Sequence, residues 1–352
     1  MKKRNSRNTP NKKKKRTKNL TASVSLQKDG LLYNALPWHG KMEITLNAAG
    51  FPEMIYPSRI SFTPEMLERL VAVGQSYWHP RPEPITDFKY NWIMNTLADA
   101  DQYPHALQDL DKALKDKPVP VYNHPYGILK TRRDYVWAQL LDVPNLIAPK
   151  CVRFQATSPN TFIRAFEKAG FEFPVIIRPT GSHTGHDMIK VDSKDDWPKI
   201  FSIPWGGLEM YMTQWTDFQS EAGEWRKLRL CLTKGRVTLR HILISDSWLI
   251  HAMDRDDHIV DRELEVLQSA DDWKAIQRIG ADVFDRIGLD YCGIDLGYKS
   301  ESEFVLFEAN PCMSILSRMA MPEYRRDEYE ANLKKIEDQV WQSVEAFIAN
   351  AR

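Results

Sequence analysis

The sequence predicts a mixed α/β (α+β) fold, because strand-like and helix-like stretches alternate along most of it. From about residue 85 onward, short apolar runs alternate with longer stretches whose apolar residues recur at helical spacing. Alternation of this kind favours layers of helix packed on sheet. At 352 residues the chain is also long enough for about two folded units of roughly 150 residues each.

The predicted elements follow this alternation. Helices are predicted to begin at Thr63 and to span Tyr103–Lys115, Arg132–Leu141, Asn160–Lys168, Ala270–Ile287 and Glu323–Asn350. Strands are predicted at Met42–Leu46, Pro118–Tyr122, Val143–Phe154, Pro174–Ile177, Met188–Val191, Glu209–Trp215, Arg229–Thr233, Arg236–Ser245, Cys292–Tyr298 and Phe304–Pro311. Prolines break the stretch Trp78–Pro84.

The N-terminal segment differs in charge from the rest of the chain. Residues 1–18 contain ten Lys or Arg and no acid, and the remaining residues hold 38 basic against 47 acidic side chains. A segment so basic and so poor in apolar residues cannot bury enough surface to order itself, so residues 1–20 are predicted to be a disordered basic tail. Such a tail suits an acidic partner, whether nucleic acid or an anionic membrane, although a solvated tail without a defined partner is the preferred interpretation.

Composition excludes two classes of protein. No apolar run approaches the ~18 residues that a membrane-spanning helix needs, which excludes a transmembrane segment. The four cysteines form no CxxC pair and are too sparse for a disulfide scaffold. A cytoplasmic location is therefore expected.

Three oxygen-bearing side chains are predicted to meet near the C-terminal end of the chain. Glu308 and Asn310 point to the same side of one strand, because side chains alternate along a strand. Asp295 precedes Glu308 by 13 residues, a separation that suits two antiparallel strands joined by a short turn. Carboxylate and amide oxygens suit Mg²⁺, and charges at the ends of apolar strands need a partner. Asp295, Glu308 and Asn310 are thus the predicted metal ligands.

A polar loop, RPTGSHTGHD at residues 178–187, follows an apolar strand. Gly181 and Gly185 bracket Ser182 and His183, so the loop's backbone N–H groups are candidates to close over phosphate oxygens, with Arg178 adding positive charge. A plain hairpin uses the same residues. The chain contains neither a Walker A motif nor G-x-G-x-x-G, which excludes P-loop and Rossmann sites.

The order of these features resembles the ATP-grasp superfamily, from about Tyr122 to Leu316. The distinctive piece is FEANP at residues 307–311, with GID upstream at 293–295. The resemblance implies an ATP-grasp fold in which two α/β subdomains clasp ATP with one or two Mg²⁺ ions. The ATP-grasp domain would span residues 122–352, with a central lid subdomain at about 150–215 and a C-terminal subdomain at 216–352, after an N-terminal preceding domain at 21–121.

The resemblance also implies roles for further residues. The family's adenine-binding hinge matches Gln214, Trp215 and Thr216, and an acid that holds the ribose hydroxyls matches Glu221 or Asp217. The implied nucleotide-binding residues are therefore Arg133, Arg178, Gly181, Ser182, His183, Gly185, Gln214, Trp215, Thr216 and Glu221.

Basic residues depart from the family pattern at two phosphate-binding positions. Two phosphate-binding lysines are replaced, the second by Arg178 and the first by Arg133, which fits better than Lys130 or Arg132. Arginine keeps the charge but binds phosphate through two donors instead of one. In the strand EWRKLRLCL, Arg229 matches an arginine that contacts the transferred phosphoryl group, and a solvated strand face is the alternative.

Another basic strand residue, Lys227, stands where similar enzymes have an acid. The run WLIHAMDRDDH, residues 248–258, follows no metal-ligand spacing and is interpreted as a polar loop, with His251 a candidate contact to the acceptor substrate.

The resemblance favours an ATP-dependent carboxylate–amine ligase acting on amino acids or peptides. A substrate carboxylate would attack the γ-phosphate of ATP, and an amine would then displace phosphate from the acyl phosphate, with Arg178 and Arg229 as catalytic residues. Two alternatives stay open. In the first, the chain is a kinase of the same fold that phosphorylates a hydroxyl. In the second, the chain binds ATP without turnover, and its basic tail contacts the partner.

Overall fold

The computed structural model describes residues 29–38, 43–46, 50, 52–55, 58–70, 72–77, 90–183, 185, 187–251, 256–269 and 273–351. The predicted basic tail, residues 1–20, and the proline-broken stretch Trp78–Pro84 both lie outside these residues. The architecture is mixed α/β, as the sequence predicts, with parallel and antiparallel sheets. No helix among the described residues is long and apolar enough to cross a membrane.

A parallel sheet forms the N-terminal part of the structure. The elements of this part of the chain, in order, are β1 (Gly30–Ala35), β2 (Glu43–Leu46), β3 (Pro52–Ile55), α1 (Pro64–Arg69), β4 (Ala72–Tyr77), β5 (Trp92–Asn95), α2 (Pro104–Leu114) and β6 (Val121–Tyr122). The strand order is β4-β1-β5-β6, while β2 and β3 form a separate hairpin. Thr63 begins α1 by accepting a hydrogen bond from the Met66 N–H at 3.2 Å, with Pro64 in the first turn.

A second, antiparallel sheet, the central sheet, follows along the chain. The elements of this region are α3 (Pro125–Leu129), α4 (Arg133–Gln139), β7 (Leu146–Ile147), β8 (Cys151–Gln155), α5 (Pro159–Ala169), β9 (Val175–Pro179), β10 (Ile189–Val191), a 3₁₀ helix (Lys194–Ser202) and β11 (Glu209–Gln214). The central sheet has the order β10-β9-β11-β8. Its own apolar cluster, which includes Phe162 of α5 and Ile177 of β9, fills one face.

The C-terminal sheet is the largest. Helices flank and follow this sheet. The elements of this part of the chain, in order, are β12 (Trp225–Thr233), β13 (Arg236–Ser245), α6 (Asp257–Ser269), α7 (Lys274–Ile287), β14 (Tyr291–Ser300), β15 (Glu303–Asn310), a 3₁₀ turn (Glu323–Arg325) and α8 (Arg326–Ala351). The strand order is β13-β12-β14-β15-β7, so β7 from before the central sheet supplies one edge. This sheet places β12, β14 and β15 side by side, which positions the site described below.

Several elements differ from the sequence prediction. The predicted strand Val143–Phe154 is divided into β7 and β8, which join different sheets, and Pro149 lies between them where it removes a backbone donor. The predicted polar loop at 248–258 ends in the first residues of α6, and residues 252–255 lie outside the described chain. Strands β1, β4 and β5 have no counterpart in the prediction, because parallel strands pair across long stretches of chain that carry no local signal.

Candidate active site

A cavity of about 550 Å³ is lined by residues of both the central and the C-terminal sheets. The cavity brings together most of the residues that the sequence singles out. They are Arg133, Arg178, His183, Gly185, Gln214, Trp215, Thr216, Arg229, Asp295, Glu308 and Asn310. Gly181 and Ser182 line a small adjoining cavity of about 20 Å³, which shares Arg133, His183 and Glu308 with the larger one.

The predicted acid for ribose is not part of this arrangement. Glu221 lies exposed in a turn after β11 and lines neither cavity, and the same holds for the exposed Asp217. The structure therefore does not bring a ribose-binding acid to the cavity from this turn.

The two predicted carboxylate ligands face each other across neighbouring strands. β14 and β15 pair antiparallel, as the sequence spacing predicts, and Asp295 lies directly opposite Glu308 in the register. Directly opposed residues project to the same face of a sheet. A shift in register after Asp295 marks a bulge at this point, an irregularity that often lies beside functional sites. Asp295 and Asn310 are each only 6% exposed.

Arginine partners hold both carboxylates. Arg229 Nε and Nη2 donate to the two oxygens of Asp295 at 2.7 and 2.8 Å, a bidentate pair. Arg133 Nη2 lies 2.8 Å from Glu308 Oε1. Burial tends to lower the pKa of Arg229, but the charge of Asp295 more than offsets this and leaves the pKa raised. Asp295 and Glu308 are thus each paired with an arginine.

Glu308 stays ionised despite its buried position. Burial tends to raise its pKa, but Arg133, His183 and two more distant arginines lower it to about 2. Asn310 Nδ2 donates to the same oxygen, Oε1, at 2.6 Å. The carboxylate is therefore charged over the whole physiological range and suited to bind a cation.

The donor set fits magnesium by its chemistry. Asp295 and Glu308 offer hard carboxylate oxygens with lone pairs beyond those that the arginines use. Asn310 Oδ1 accepts from the Cys312 N–H at 3.1 Å, so this oxygen would exchange a protein partner for the metal. Asp295, Glu308 and Asn310 would hold the ion together with oxygens from a ligand or water.

Arg178 on β9 has different surroundings. It is 9% exposed, and its Nε donates to Ser182 Oγ at 3.1 Å while Nη2 donates to the Ser182 carbonyl. Within the described chain no carboxylate lies within ion-pair distance of it. Burial and then the like charge of Arg133 lower its pKa to about 10, with Glu308 opposing from farther away. A buried guanidinium with only neutral partners favours an anionic ligand.

The Gly-rich loop is anchored on the N-terminal part of the chain. Gly181 and Gly185 have φ of +66° and +74°, a region that glycine adopts without strain. His183 Nε2 lies 2.8 Å from Asp99 Oδ2, and the Gly181 N–H donates to Asp101 Oδ2 at 3.3 Å. Gln102 Nε2 donates to the Gly181 carbonyl at 3.1 Å. In this arrangement one of the loop's backbone donors is used by Asp101.

Asp99 and Asp101 were not among the residues predicted from the sequence. Both follow the buried strand β5, at the carboxyl edge of the parallel sheet. Acidic residues directly after such a strand are a signal that points to a site, because this edge of an open parallel sheet is where ligands bind. Recognising β5 as a strand would have drawn attention to them.

Aromatic side chains also line the cavity. Trp215 lines it and packs against Trp248 with ring centroids 5.3 Å apart and near-perpendicular planes. Phe218 and Phe307 continue the aromatic wall at a centroid distance of 4.8 Å. The side chain of Gln214 is used elsewhere, since its Nε2 donates to the Glu172 and Pro174 carbonyls. Any contribution of Gln214 to a ligand would therefore come from its backbone.

The remaining basic candidates are distinguished by position. Lys130 and Arg132 lie over the rings of Tyr126 and Tyr135, at 4.1 and 4.4 Å. Of the three residues considered for the first phosphate-binding position, Arg133 alone lines the larger cavity.

Two further predicted residues also line the cavity. Lys227 Nζ donates to the Ile250 carbonyl at 3.3 Å, and burial lowers its pKa. His251 lies on the same side of the cavity, beside Gly185.

Comparisons with known proteins give a consistent but distant likeness. No family model and no curated protein matches the sequence. Among solved structures, the chain is similar to a RimK domain protein ATP-grasp from Sphaerobacter thermophilus, with 12% identity and a TM-score of 0.44 over 88% of this chain and 98% of that one.

Two further solved structures show the same level of likeness. They are the D-alanine-D-alanine ligase from Coxiella burnetii (11% identity, TM-score 0.42, 91% and 98% coverage) and carboxyaminoimidazole ribonucleotide synthase from Aspergillus clavatus complexed with ATP (13%, 0.43, 78% and 72%). Every one of these TM-scores is below 0.5, so the functional proposal rests on the residues of this chain.

Proposed function

We propose that the chain is an ATP- and Mg²⁺-dependent ligase that joins a carboxylate to an amine through an acyl phosphate. The observation that carries the proposal is Arg178, a buried cation without a carboxylate partner among the described residues, which lines the same cavity as the facing carboxylates Asp295 and Glu308. A polyphosphate with a bound divalent cation supplies both the anion that Arg178 lacks and the cation that the carboxylates suit.

The aromatic side chains of the cavity support a nucleotide in particular. Trp215, Phe218 and Phe307 offer an apolar, polarisable surface of the kind on which a base packs. The charged and polar residues Asp295, Glu308 and Asn310 line the same cavity, so we expect the base to pack on the aromatic side chains and the phosphates to lie beside these three residues.

Positioning and charge neutralisation would account for most of the catalysis. Arg178 and Arg133 would bind the phosphate oxygens that lie farthest from the aromatic wall. Arg229 would turn one of its donors from Asp295 to the transferred phosphoryl group. Bound magnesium would supply a further positive charge between the phosphates. Phosphoryl transfer leaves ADP, and the amine then attacks the acyl carbon and releases phosphate.

The test is ADP release from ATP and Mg²⁺ across a panel of carboxylates with amines, chiefly amino acids and short peptides. We expect release that requires both a carboxylate and an amine, and that Asp295→Ala and Glu308→Ala abolish. Glu221→Gln is the matched control, because this exposed carboxylate lies outside the cavity. ADP release that persists in both alanine variants, or that requires a polyol instead of a carboxylate, would contradict the proposal.

A further inference from the structure

Asp99, His183 and Cys312 come together beside Asn310, although they are far apart in the sequence. A carboxylate oxygen, a ring nitrogen and the thiol sulfur of these residues all lie within 4.8 Å of one another. Asp99 belongs to the loop after β5, His183 to the Gly-rich loop and Cys312 to the segment after β15. We propose that these three residues bind a thiophilic divalent cation, with zinc as the best fit, at a site that adjoins the magnesium ligands, since Cys312 Sγ lies 3.1 Å from Asn310 Oδ1, but shares none of them.

The donor types distinguish this cluster from the neighbouring carboxylates. Thiolate and imidazole are ligands that zinc prefers, whereas magnesium takes oxygen. Three protein ligands with one position open to water is the arrangement of zinc sites that are not fully closed. His183 Nε2 and Asp99 Oδ2 are 2.8 Å apart, so the ion would replace their hydrogen bond, and small shifts of the three side chains would give it a tetrahedral shell.

The surrounding contacts orient two of the ligands. Asp99 Oδ1 accepts from the backbone N–H groups of Asp101 and Gln102 at 2.7 and 3.2 Å, which leaves Oδ2 directed at His183. The second ring nitrogen of His183, Nδ1, lies 3.8 Å from Glu308 Oε1. A carboxylate behind the outer nitrogen of a histidine is the usual support of a metal-bound imidazole.

Charge and proton balance are simple at this site. Zinc binding would displace the thiol proton of Cys312 and the Nε2 proton that His183 directs at Asp99, with His183 carrying its one remaining proton on Nδ1, so that one carboxylate, one thiolate and one neutral imidazole match the double positive charge. No electron transfer is involved. Because the ligands come from three segments, the ion would tie the Gly-rich loop to both the N-terminal and the C-terminal parts of the chain.

The inference does not depend on the use of ATP, and its test needs only the metal. Metal-free full-length protein is titrated with Co²⁺ and the near-ultraviolet absorption is recorded. We expect a thiolate-to-cobalt charge-transfer band that saturates at one equivalent and that Zn²⁺ abolishes by displacement. Cys312→Ser should remove the band, and Asp99→Asn should weaken zinc affinity by at least about tenfold, the lower range found even for outer-shell partners.

Controls separate this site from others in the chain. Cys151→Ser removes a thiol that lines the large cavity but is not a member of the cluster, so the band should persist. Circular dichroism establishes that each variant is folded, and His183→Gln replaces Cys312→Ser if the latter unfolds. A wild-type protein without the band at saturating cobalt, or a band that survives in the folded Cys312 or His183 variant, would overturn the proposal.

Discussion

Arg178 on the central sheet and Arg229 on the C-terminal sheet line the same cavity and are both largely buried, yet their surroundings differ. Arg229 makes a bidentate pair with Asp295, whereas Arg178 has hydroxyl and carbonyl partners from Ser182. The charge of Asp295 raises the pKa of Arg229, while burial and Arg133 lower that of Arg178 to about 10.

The difference shows which of the two arginines has a counter-charge without a ligand. On the C-terminal sheet Arg229 and Asp295 neutralise each other, so this pair is a stable part of the fold without a ligand. On the central sheet the charge of Arg178 is not neutralised, because no carboxylate among the described residues lies within ion-pair distance of it. Substitutions in the Arg229–Asp295 pair should therefore mainly lower stability, whereas substitutions of Arg178 should mainly weaken ligand binding.

The largest expected effect is on stability, from breaking the pair on the C-terminal sheet. Asp295→Leu leaves Arg229 buried without its counter-charge, and such a loss costs about 3–5 kcal/mol of unfolding free energy. Replacing both residues, as Arg229→Met with Asp295→Leu, should cost less than the sum of the single changes. Urea unfolding of the four proteins gives the coupling energy, and an additive result would contradict the account of this pair.

The next effect is on binding, from removing the unpaired cation. Arg178→Met should weaken ATP binding by roughly 10- to 100-fold, since a charged hydrogen bond contributes about 1.5–3 kcal/mol. Its unfolding free energy should stay the same or rise, because a buried charge is removed. Calorimetric titration and urea unfolding measure the two quantities. If Arg178→Met lowers the unfolding free energy as much as Arg229→Met does, the two arginines do not differ in the way described.

A smaller effect is expected at the aromatic side chains. Trp215→Leu should weaken ATP binding by about tenfold, because aromatic contacts contribute roughly 0.5–1.5 kcal/mol beyond buried area. Trp225→Leu is the matched control, since Trp225 packs on Trp215 at 5.8 Å but does not line the cavity. Competition binding with a fluorescent nucleotide measures both variants. Equal losses in the two would mean that the effect is one of packing and not of contact with the base.

The smallest effect is expected at Glu221. Glu221→Gln should change ATP affinity and stability by less than about 0.5 kcal/mol, as for exposed positions away from partners. The preference for ATP over 2′-deoxy-ATP should also stay the same. A clear loss of that preference would show that the turn after β11 folds over the cavity when ligand binds.

The local part of the site could be predicted from the sequence. Asp295, Glu308 and Asn310 lie on two strands joined by a short turn, so alternation and spacing were sufficient to place them together. The predicted bounds of these strands agree with β14 and β15 to within two residues. Arg229 was singled out through the family resemblance, and the structure places it opposite Asp295 on the strand next to β14.

The long-range part could not be predicted in this way. Arg133 and Glu308 meet across 175 positions of the chain, and Asp99 and His183 across 84. Such contacts depend on how three sheets pack, which no local pattern specifies. Glu221 shows the converse, because its position relative to the hinge suggested a site residue, whereas the turn that carries it is directed to solvent.

The most direct measurement of the central claim is calorimetric titration of ATP into the full-length protein with and without Mg²⁺. We expect one binding site whose affinity rises with Mg²⁺ in the wild type. In Glu308→Gln the affinity without Mg²⁺ should persist through Arg178, while the gain from Mg²⁺ should be lost. No binding of ATP to the wild type, or an equal gain from Mg²⁺ in Glu308→Gln, would contradict the account.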